Sequence, residues 1–322
     1  MPPPLTCIEI CSGAGGQALG LEMAGFEGLA HVEMDSNACA TLRLNRPNWR
    51  VIEEDVRNFS AREFFGIDLL AGGVPCPPFS KAGKQLGGED ERDLFPEALR
   101  LIEECKPKAV LLENVRGFLD AVFVDYRTKL KKRLNELGYE ASWHLLNASD
   151  FGVPQLRPRV VIVGIRRDLK PGFSVPIPLT DGSLPPTVGE CLADLMTKNG
   201  WKGAQWASNA NEIAPTLVGG SKKHGGADLG PTRAKKAWAT LGVNGKSLAD
   251  DSPTVDFEGM PRLTLRMTAR IQGFPDHWQF AGKKTAAYRQ IGNAFPPPVA
   301  FAVAKRIREA IEGSATKIGS MR

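Results

Sequence analysis

The sequence predicts an α/β protein: a doubly wound, Rossmann-like sheet domain with a smaller, loop-rich domain. Three observations lead there. Short apolar runs of strand length alternate with amphipathic stretches of helical period over residues 5–169. Several of those runs end in glycine turns or acidic residues, which is where open α/β sheets place their ligands. The rhythm stops between about residues 170 and 260, where Gly, Pro, Lys and Trp dominate, and returns for two or three terminal helices.

Residues 5–10 (Leu-Thr-Cys-Ile-Glu-Ile) read as the first buried strand. They lead into Cys11-Ser12-Gly13-Ala14-Gly15-Gly16 and then a helix carrying Leu19, Met23 and Ala24. Such a glycine turn lets a ligand approach the backbone beside a helix N-terminus, although tight turns also hold glycines for steric reasons alone. A second strand over residues 29–33 ends in Glu33, with Asp35 beyond it and Ser36 as the expected helix cap. About twenty residues separate the turn from Glu33, the spacing at which an acid accepts the hydroxyls of a ribose. A third run, residues 51–55, ends in Asp55, which could accept from an adenine amino group.

Residues 67–71 form the next buried run and deliver Gly72-Gly73-Val74-Pro75-Cys76-Pro77-Pro78-Phe79-Ser80 to a strand end. Prolines on both sides of Cys76 fix the backbone, and the two glycines permit close approach, so this reads as a presented thiol rather than a small buried hydrophobe. The polar, glycine-rich residues 81–88 read as a lid or surface loop. Leu94, Ala98, Leu101, Ile102 and Cys105 share a helical face. A strand over residues 108–112 then presents Glu113-Asn114-Val115 at the same sheet edge as Cys76, pairing a nucleophile with an acid.

A helix with Phe123, Leu130, Leu134 and Leu137 closes at Gly138. Gln155-Leu156-Arg157-Pro158-Arg159 enters a strand over residues 160–165, its two arginines alternating so that both can face one side. A helix closed by Gly273 and Pro275 follows the irregular region. Then come Gln290-Ile291-Gly292-Asn293-Ala294 and a last helix with Val303, Ile307 and Ile311.

The whole chain bounds the reading further. Its 322 residues carry a net charge of +5 at pH 7, which permits a polyanionic partner without requiring one. Between Gly219 and Lys246 stand Lys222, Lys223, Arg233, Lys235, Lys236 and Lys246 against Asp228 alone, interspersed with glycines and Trp238, which suits a phosphate-contacting surface loop or, equally, a solvated charged loop. Six cysteines without a Cys-x-x-Cys pair and four scattered histidines suggest neither a disulfide framework nor a metal site. The amino terminus lacks the features of a signal peptide and no apolar run spans a bilayer, so a cytoplasmic protein with no membrane attachment is expected.

Taken in order, the glycine turn, Pro75-Cys76, Glu113-Asn114-Val115, Gln155-x-Arg157-x-Arg159, residues 270–275 (Arg-Ile-Gln-Gly-Phe-Pro) and Gln290-Ile291-Gly292-Asn293-Ala294 resemble the DNA cytosine-5 methyltransferases of bacterial restriction-modification systems. The resemblance implies a catalytic and cofactor-binding domain over residues 1–169, a target-recognition domain over 170–260, and a hinge and C-terminal helix over 261–322 returning to the first domain. It implies S-adenosyl-L-methionine as cofactor, S-adenosyl-L-homocysteine as product, and no metal. Gly13, Gly15, Gly16, Glu33, Met34, Asp55, Val56, Pro75, Leu94, Asn293 and Ala294 are the implied cofactor residues. Cys76 is the implied nucleophile toward C6 of a flipped-out cytosine in duplex DNA, Glu113 the acid at N3, Arg157 the residue orienting Glu113, and Arg159 a contact to the cytosine O2. Ser80, Lys81, Lys222, Lys223, Arg233, Lys235 and Lys236 are the implied DNA contacts, and Thr216-Leu217 resembles a short Thr-Leu element of family recognition domains. A monomer is expected, working alongside a restriction endonuclease and associated with the bacterial nucleoid.

The chain departs from the family at three places. Cys11 stands where many members have phenylalanine, Met34 where many have an aromatic, and Pro77 where glutamine is common, so adenine packing is expected to be aliphatic. A transfer-RNA methyltransferase of the same type would carry a Cys-Phe-Thr triplet, which is absent. A DNA-binding protein without catalysis would not need Cys76, Glu113, Arg157 and Arg159. A nicotinamide dehydrogenase leaves Pro75-Cys76 and Glu113-Asn114 unexplained.

Overall fold

The computed structural model describes residues 4–75, 93–169, 173–176, 178, 184–220 and 226–319, the last six of these through the backbone only. Cys76, Ser80, Lys81, Lys222 and Lys223 lie outside the described residues.

The predicted α/β alternation is present. In chain order the elements are β1 (Leu5–Ile10), α1 (Gly16–Met23), β2 (Phe26–Glu33), α2 (Ser36–Asn45), β3 (Val51–Glu53), β4 (Leu69–Gly72), α3 (Phe95–Cys105), β5 (Ala109–Val115), α4 (Val124–Glu136), β6 (Tyr139–Asn147) and β7 (Pro158–Arg166). After them come α5 (Val188–Thr197), α6 (Ala204–Asn209), α7 (Thr232–Thr240), α8 (Leu265–Ile271), α9 (Lys284–Asn293) and α10 (Pro297–Gly319). One seven-stranded sheet runs β3-β2-β1-β4-β5-β7-β6. The first five strands are parallel and β7 is antiparallel to both neighbours. Strand order reverses between β1 and β4, so their carboxyl ends open a crevice of the kind in which doubly wound sheets hold ligands.

Alternation along the buried strands feeds two cores. Ile8, Ile10, Leu70, Val110 and Leu112 join α3 and α4 on one face. Cys7, Leu69, Ala71, Leu111 and Val163 pack with Leu21 of α1 and with Val299, Val303, Ile307 and Ile311 of α10 on the other. The terminal helix therefore completes the sheet's second layer.

Four local differences from the sequence reading have physical causes. Asp35, not Ser36, caps α2, because its carboxylate reaches the free amides of Asn37 and Ala38. The edge strand β6 went unforeseen, since its half-exposed residues mask a regular alternation. Gly72 is needed for strand packing rather than ligand approach: a Cβ there would lie 2.6 Å from Ile10 Cγ1. Residues 232–240 form a helix instead of a loop, with Trp238 fully buried beside Leu192, Trp206 and Met267.

Candidate active site

The glycine turn is built from unusual backbone. Cys11, Gly13 and Gly15 take positive φ, and the Ser12 hydroxyl donates to the Glu9 carbonyl at 3.1 Å. Gly16 has no room for a side chain, because a Cβ would run into the Phe295 carbonyl oxygen. Gly15 is hemmed in by Leu42 and Trp278, so its role is to set the turn, and it does not line the cavity beside it. The Gly13 amide donates to Glu33 Oε2 at 2.8 Å and the Asp35 amide to Oε1 at 2.7 Å. Each carboxylate oxygen keeps a further lone pair for a ligand, so Glu33 is held in place without being used up.

Above this turn lies a cavity of about 330 Å³, within the range of small-molecule sites. Gly13, Gly16, Glu33, Met34, Asp55, Val56, Pro75, Leu94, Asn293 and Ala294 all line it, ten of the eleven expected cofactor residues. Its apolar wall is Val32, Met34, Ala38, Val56 and Leu94, joined by Phe295, so the aliphatic packing expected from Cys11 and Met34 is compatible with this wall. Asp55 also engages Arg57, whose guanidinium lies 2.9 Å away and holds the carboxyl below its usual range through direct hydrogen bonds. Asn293 donates its amide to the Gly220 carbonyl at 3.1 Å and so touches both the cavity and the segment at residues 219–220. Sequence reasoning missed Glu9, Gln17, Glu54, Arg289 and Gln290, which also line the cavity. Glu9 and Gln17 flank the glycine turn, and that adjacency was the available signal.

Glu113 closes the cavity at the end of β5. Burial raises its pKa above the ordinary carboxyl value, and the charges of Arg159 and Arg157 only partly offset this. The two arginines divide their work differently from expectation. Arg159, not Arg157, holds Glu113, its Nε lying 2.8 Å from Oε1. Arg157 is fully buried and donates to the carbonyls of Leu217 at 2.8 Å, Gly292 at 2.7 Å and Ala294 at 3.1 Å. The reason is position. Arg157 precedes β7, in a segment that pairs with residue 214 instead of the sheet, while Arg159 lies inside β7 next to β5. Arg159 accordingly points at Glu113 before it can serve a substrate oxygen.

Asn114 binds the neighbouring strand end by donating to the Val74 carbonyl at 3.0 Å. Pro75, the residue before Cys76, accepts from the Leu94 amide at 3.4 Å, and Gly73 lies beside Glu113. The expected Thr-Leu element meets the same machinery. Thr216 donates its hydroxyl to the Leu156 carbonyl, and the Leu217 amide donates to Gln155 Oε1 at 2.8 Å. On α7, Arg233 and Lys236 are exposed, whereas Lys235 lies 3.3 Å from Asp228 and is partly neutralised there.

The cavity can hold a nucleoside-bearing cation. Six acidic residues line it against the single arginine Arg289 among the described residues; burial favours the neutral form of Glu9 and Glu113, and Glu33, Asp35, Glu54 and Asp55 make the wall acidic. Among those residues no cluster suits a metal ion, and no helix is long and apolar enough to cross a membrane.

Comparison with known proteins agrees with this geometry. Residues 5–309 match the family model of C-5 cytosine-specific DNA methylases. The chain is 58% identical over 314 residues to Type II methyltransferase M.NaeI of Lentzea aerocolonigenes, covering 95% of this chain and 75% of that one. It is 56% identical over 311 residues to Type II methyltransferase M.NgoMIV of Neisseria gonorrhoeae, covering 95% and 98%. Among solved structures, a candidate DNA modification methyltransferase encoded within an E. coli prophage superposes with a TM-score of 0.68 at 25% identity, covering 96% of this chain and 99% of that one.

Proposed function

This chain belongs to the C-5 cytosine-specific DNA methylases, and we propose that it transfers a methyl group from S-adenosylmethionine to carbon 5 of a flipped-out cytosine within one duplex sequence. The observation that carries this reading is a shared wall. The residues suited to a nucleoside cofactor, the buried acid Glu113 and Pro75, which precedes Cys76 in the sequence, line one cavity.

The donor set fits the cofactor: Glu33 offers acceptors for a ribose diol, and the acidic wall suits a molecule with sulfonium and ammonium charges. The bound cofactor supplies the electrophilic methyl group. In this proposal the chain's residues do the rest. The Cys76 thiolate adds to C6, forming an S–C6 bond, while Glu113 donates a proton at N3 so that charge does not accumulate on the ring. C5 thereby becomes nucleophilic enough to take the methyl group. A base then removes the C5 proton, the S–C6 bond breaks with its electron pair returning to Cys76 as thiolate, N3 gives its proton back to Glu113, and 5-methylcytosine and S-adenosylhomocysteine leave. Arg159 keeps Glu113 oriented. The substrate base must leave the stack to reach these groups, at a cost of a few kcal/mol.

Residues 170–260 are proposed as the target-recognition region, with Lys222, Lys223, Arg233 and Lys236 toward phosphates, and Ser80 and Lys81 near the flipped base. The likeness to two Type II methyltransferases supports a modification role opposite a restriction endonuclease in a bacterial cytoplasm. A monomer suffices, since one chain carries every motif.

The test is methyl transfer from labelled S-adenosylmethionine to unmethylated duplex DNA and to transfer RNA, for the wild-type chain and Cys76→Ser. Label at DNA carbon 5 that vanishes in the variant is expected. Label on RNA alone, or none on either, overturns the assignment.

A further inference from the structure

Gln17 is the second residue of α1, directly after the two glycines of the turn. Its side chain is 4% exposed and lines the cavity, yet neither its amide oxygen nor its amide nitrogen has a hydrogen-bond partner. Glu9, 1% exposed, lines the same cavity. One of its carboxylate oxygens meets His31 Nδ1 at 3.2 Å and the other has no partner. Buried polar groups are normally bonded, and a missing bond is costly, so two such groups in one wall call for an explanation.

The fold puts them on one side of the sheet. Along β1, Cys7 packs in the core formed with α1 and α10, so by alternation Glu9 faces that way at the carboxyl end. Gln17 stands one helical turn before Leu21, which belongs to that core, so it shares Leu21's face and lies nearer the helix N-terminus. Packing alone would be served as well by methionine or leucine. A carboxamide supplies a donor and an acceptor together, and the Glu9 oxygen adds a second acceptor. That combination complements a zwitterion: the amide NH2 toward a carboxylate, the two oxygens toward an ammonium.

We propose that Gln17 is a cofactor ligand for the α-amino-acid end of S-adenosylmethionine, with Glu9 as its companion acceptor. The assignment rests on the cofactor reading above. Glu33 and Asp55 mark the nucleoside end, leaving the Gly16–Gln17 end for the amino acid. The unmet hydrogen bonds of the free protein are the ones the ligand completes.

Calorimetric titration of the full chain with S-adenosylmethionine, and with 5′-methylthioadenosine, which lacks the amino-acid chain, tests this. Gln17→Met is expected to weaken S-adenosylmethionine binding at least tenfold and to leave 5′-methylthioadenosine binding unchanged. Its thermal midpoint without ligand should stay level or rise, because an unpartnered amide has been removed. Equal weakening for both ligands, no weakening for either, or a lowered midpoint accompanying the lost affinity overturns the proposal. A wild-type chain that binds no S-adenosylmethionine would sink it together with the cofactor reading. A wild-type chain that binds, beside an unaffected variant, would sink the Gln17 assignment alone.

Discussion

At the scale of single residues, the site depends on carboxylates kept in specific states. Glu113 sits under burial that favours its neutral form and beside an Arg159 ion pair that favours its charged form, and burial prevails. An acid with a raised pKa delivers its proton below that pKa and loses the ability as pH rises through it. The rate of methyl transfer should therefore fall on the alkaline side through Glu113 ionisation. In Glu113→Gln, which stays neutral, that limb should vanish from a pH–rate profile; its persistence would move the acid role elsewhere. Glu113→Ala should cost about 10²–10⁴-fold in rate, the usual range for a positioned acid. Glu33 acts by position. Both its oxygens already accept backbone amides, so Glu33→Gln turns an NH2 toward one of two donors. S-adenosylhomocysteine affinity should drop about 10–100-fold, equivalent to ~1.5–3 kcal/mol, and calorimetric titration reads it directly.

At the scale of elements, the α1–α10 contact decides whether the cofactor wall stands. A Cβ on Gly20 would lie 2.6 Å from the Phe301 amide nitrogen and 2.7 Å from the Pro297 carbonyl, both backbone atoms that cannot turn aside. Gly20→Ala should force the helices apart, cost about 1–3 kcal/mol in thermal or urea unfolding, and weaken cofactor binding because α1 begins at the cavity. An unchanged midpoint would mean that α10 shifts freely. The elements legible in the sequence were those carrying a local signal: buried runs such as residues 5–10 and 108–112, and the glycine and acid turns at their ends. The divergence of Arg157 from Arg159 was not legible, because it depends on the pairing of residue 155 with residue 214 across a long loop of chain. Helix α7 was hidden for a related reason. Its signal is one tryptophan and five alanines or threonines among an arginine and two lysines, and only the third core, drawn from residues 188–288, shows which face is inward.

At the scale of the molecule, a buried polar joint connects the cavity wall to residues 214–220, part of the proposed recognition region. Gln155 donates to Gln272 Oε1 at 2.8 Å and accepts the Leu217 amide, while Arg157 bonds carbonyls on both sides, Leu217 on one and Gly292 and Ala294 on the other. Gly219 and Gly292 are pressed together so closely that a Cβ on Gly292 would lie 2.5 Å from the Gly219 amide nitrogen. The Ala294 carbonyl that Arg157 holds belongs to a residue lining the cavity, so one guanidinium ties Leu217 to the cavity wall. Arg157→Met keeps much of the volume but leaves the Leu217 and Gly292 carbonyls without that donor, while Ala294 keeps Gln272, at a cost of about 1–3 kcal/mol per unmet carbonyl. It also removes a positive charge that lowers the Glu113 pKa, so the alkaline limb of the rate profile should move to still higher pH. Loosening at the joint should make the chain between residues 214 and 220 more susceptible to limited proteolysis, with protection restored by cofactor and DNA together. A variant that is merely less stable, with wild-type proteolysis and an unmoved pH profile, would show instead that Arg157 supports the fold without linking the two regions.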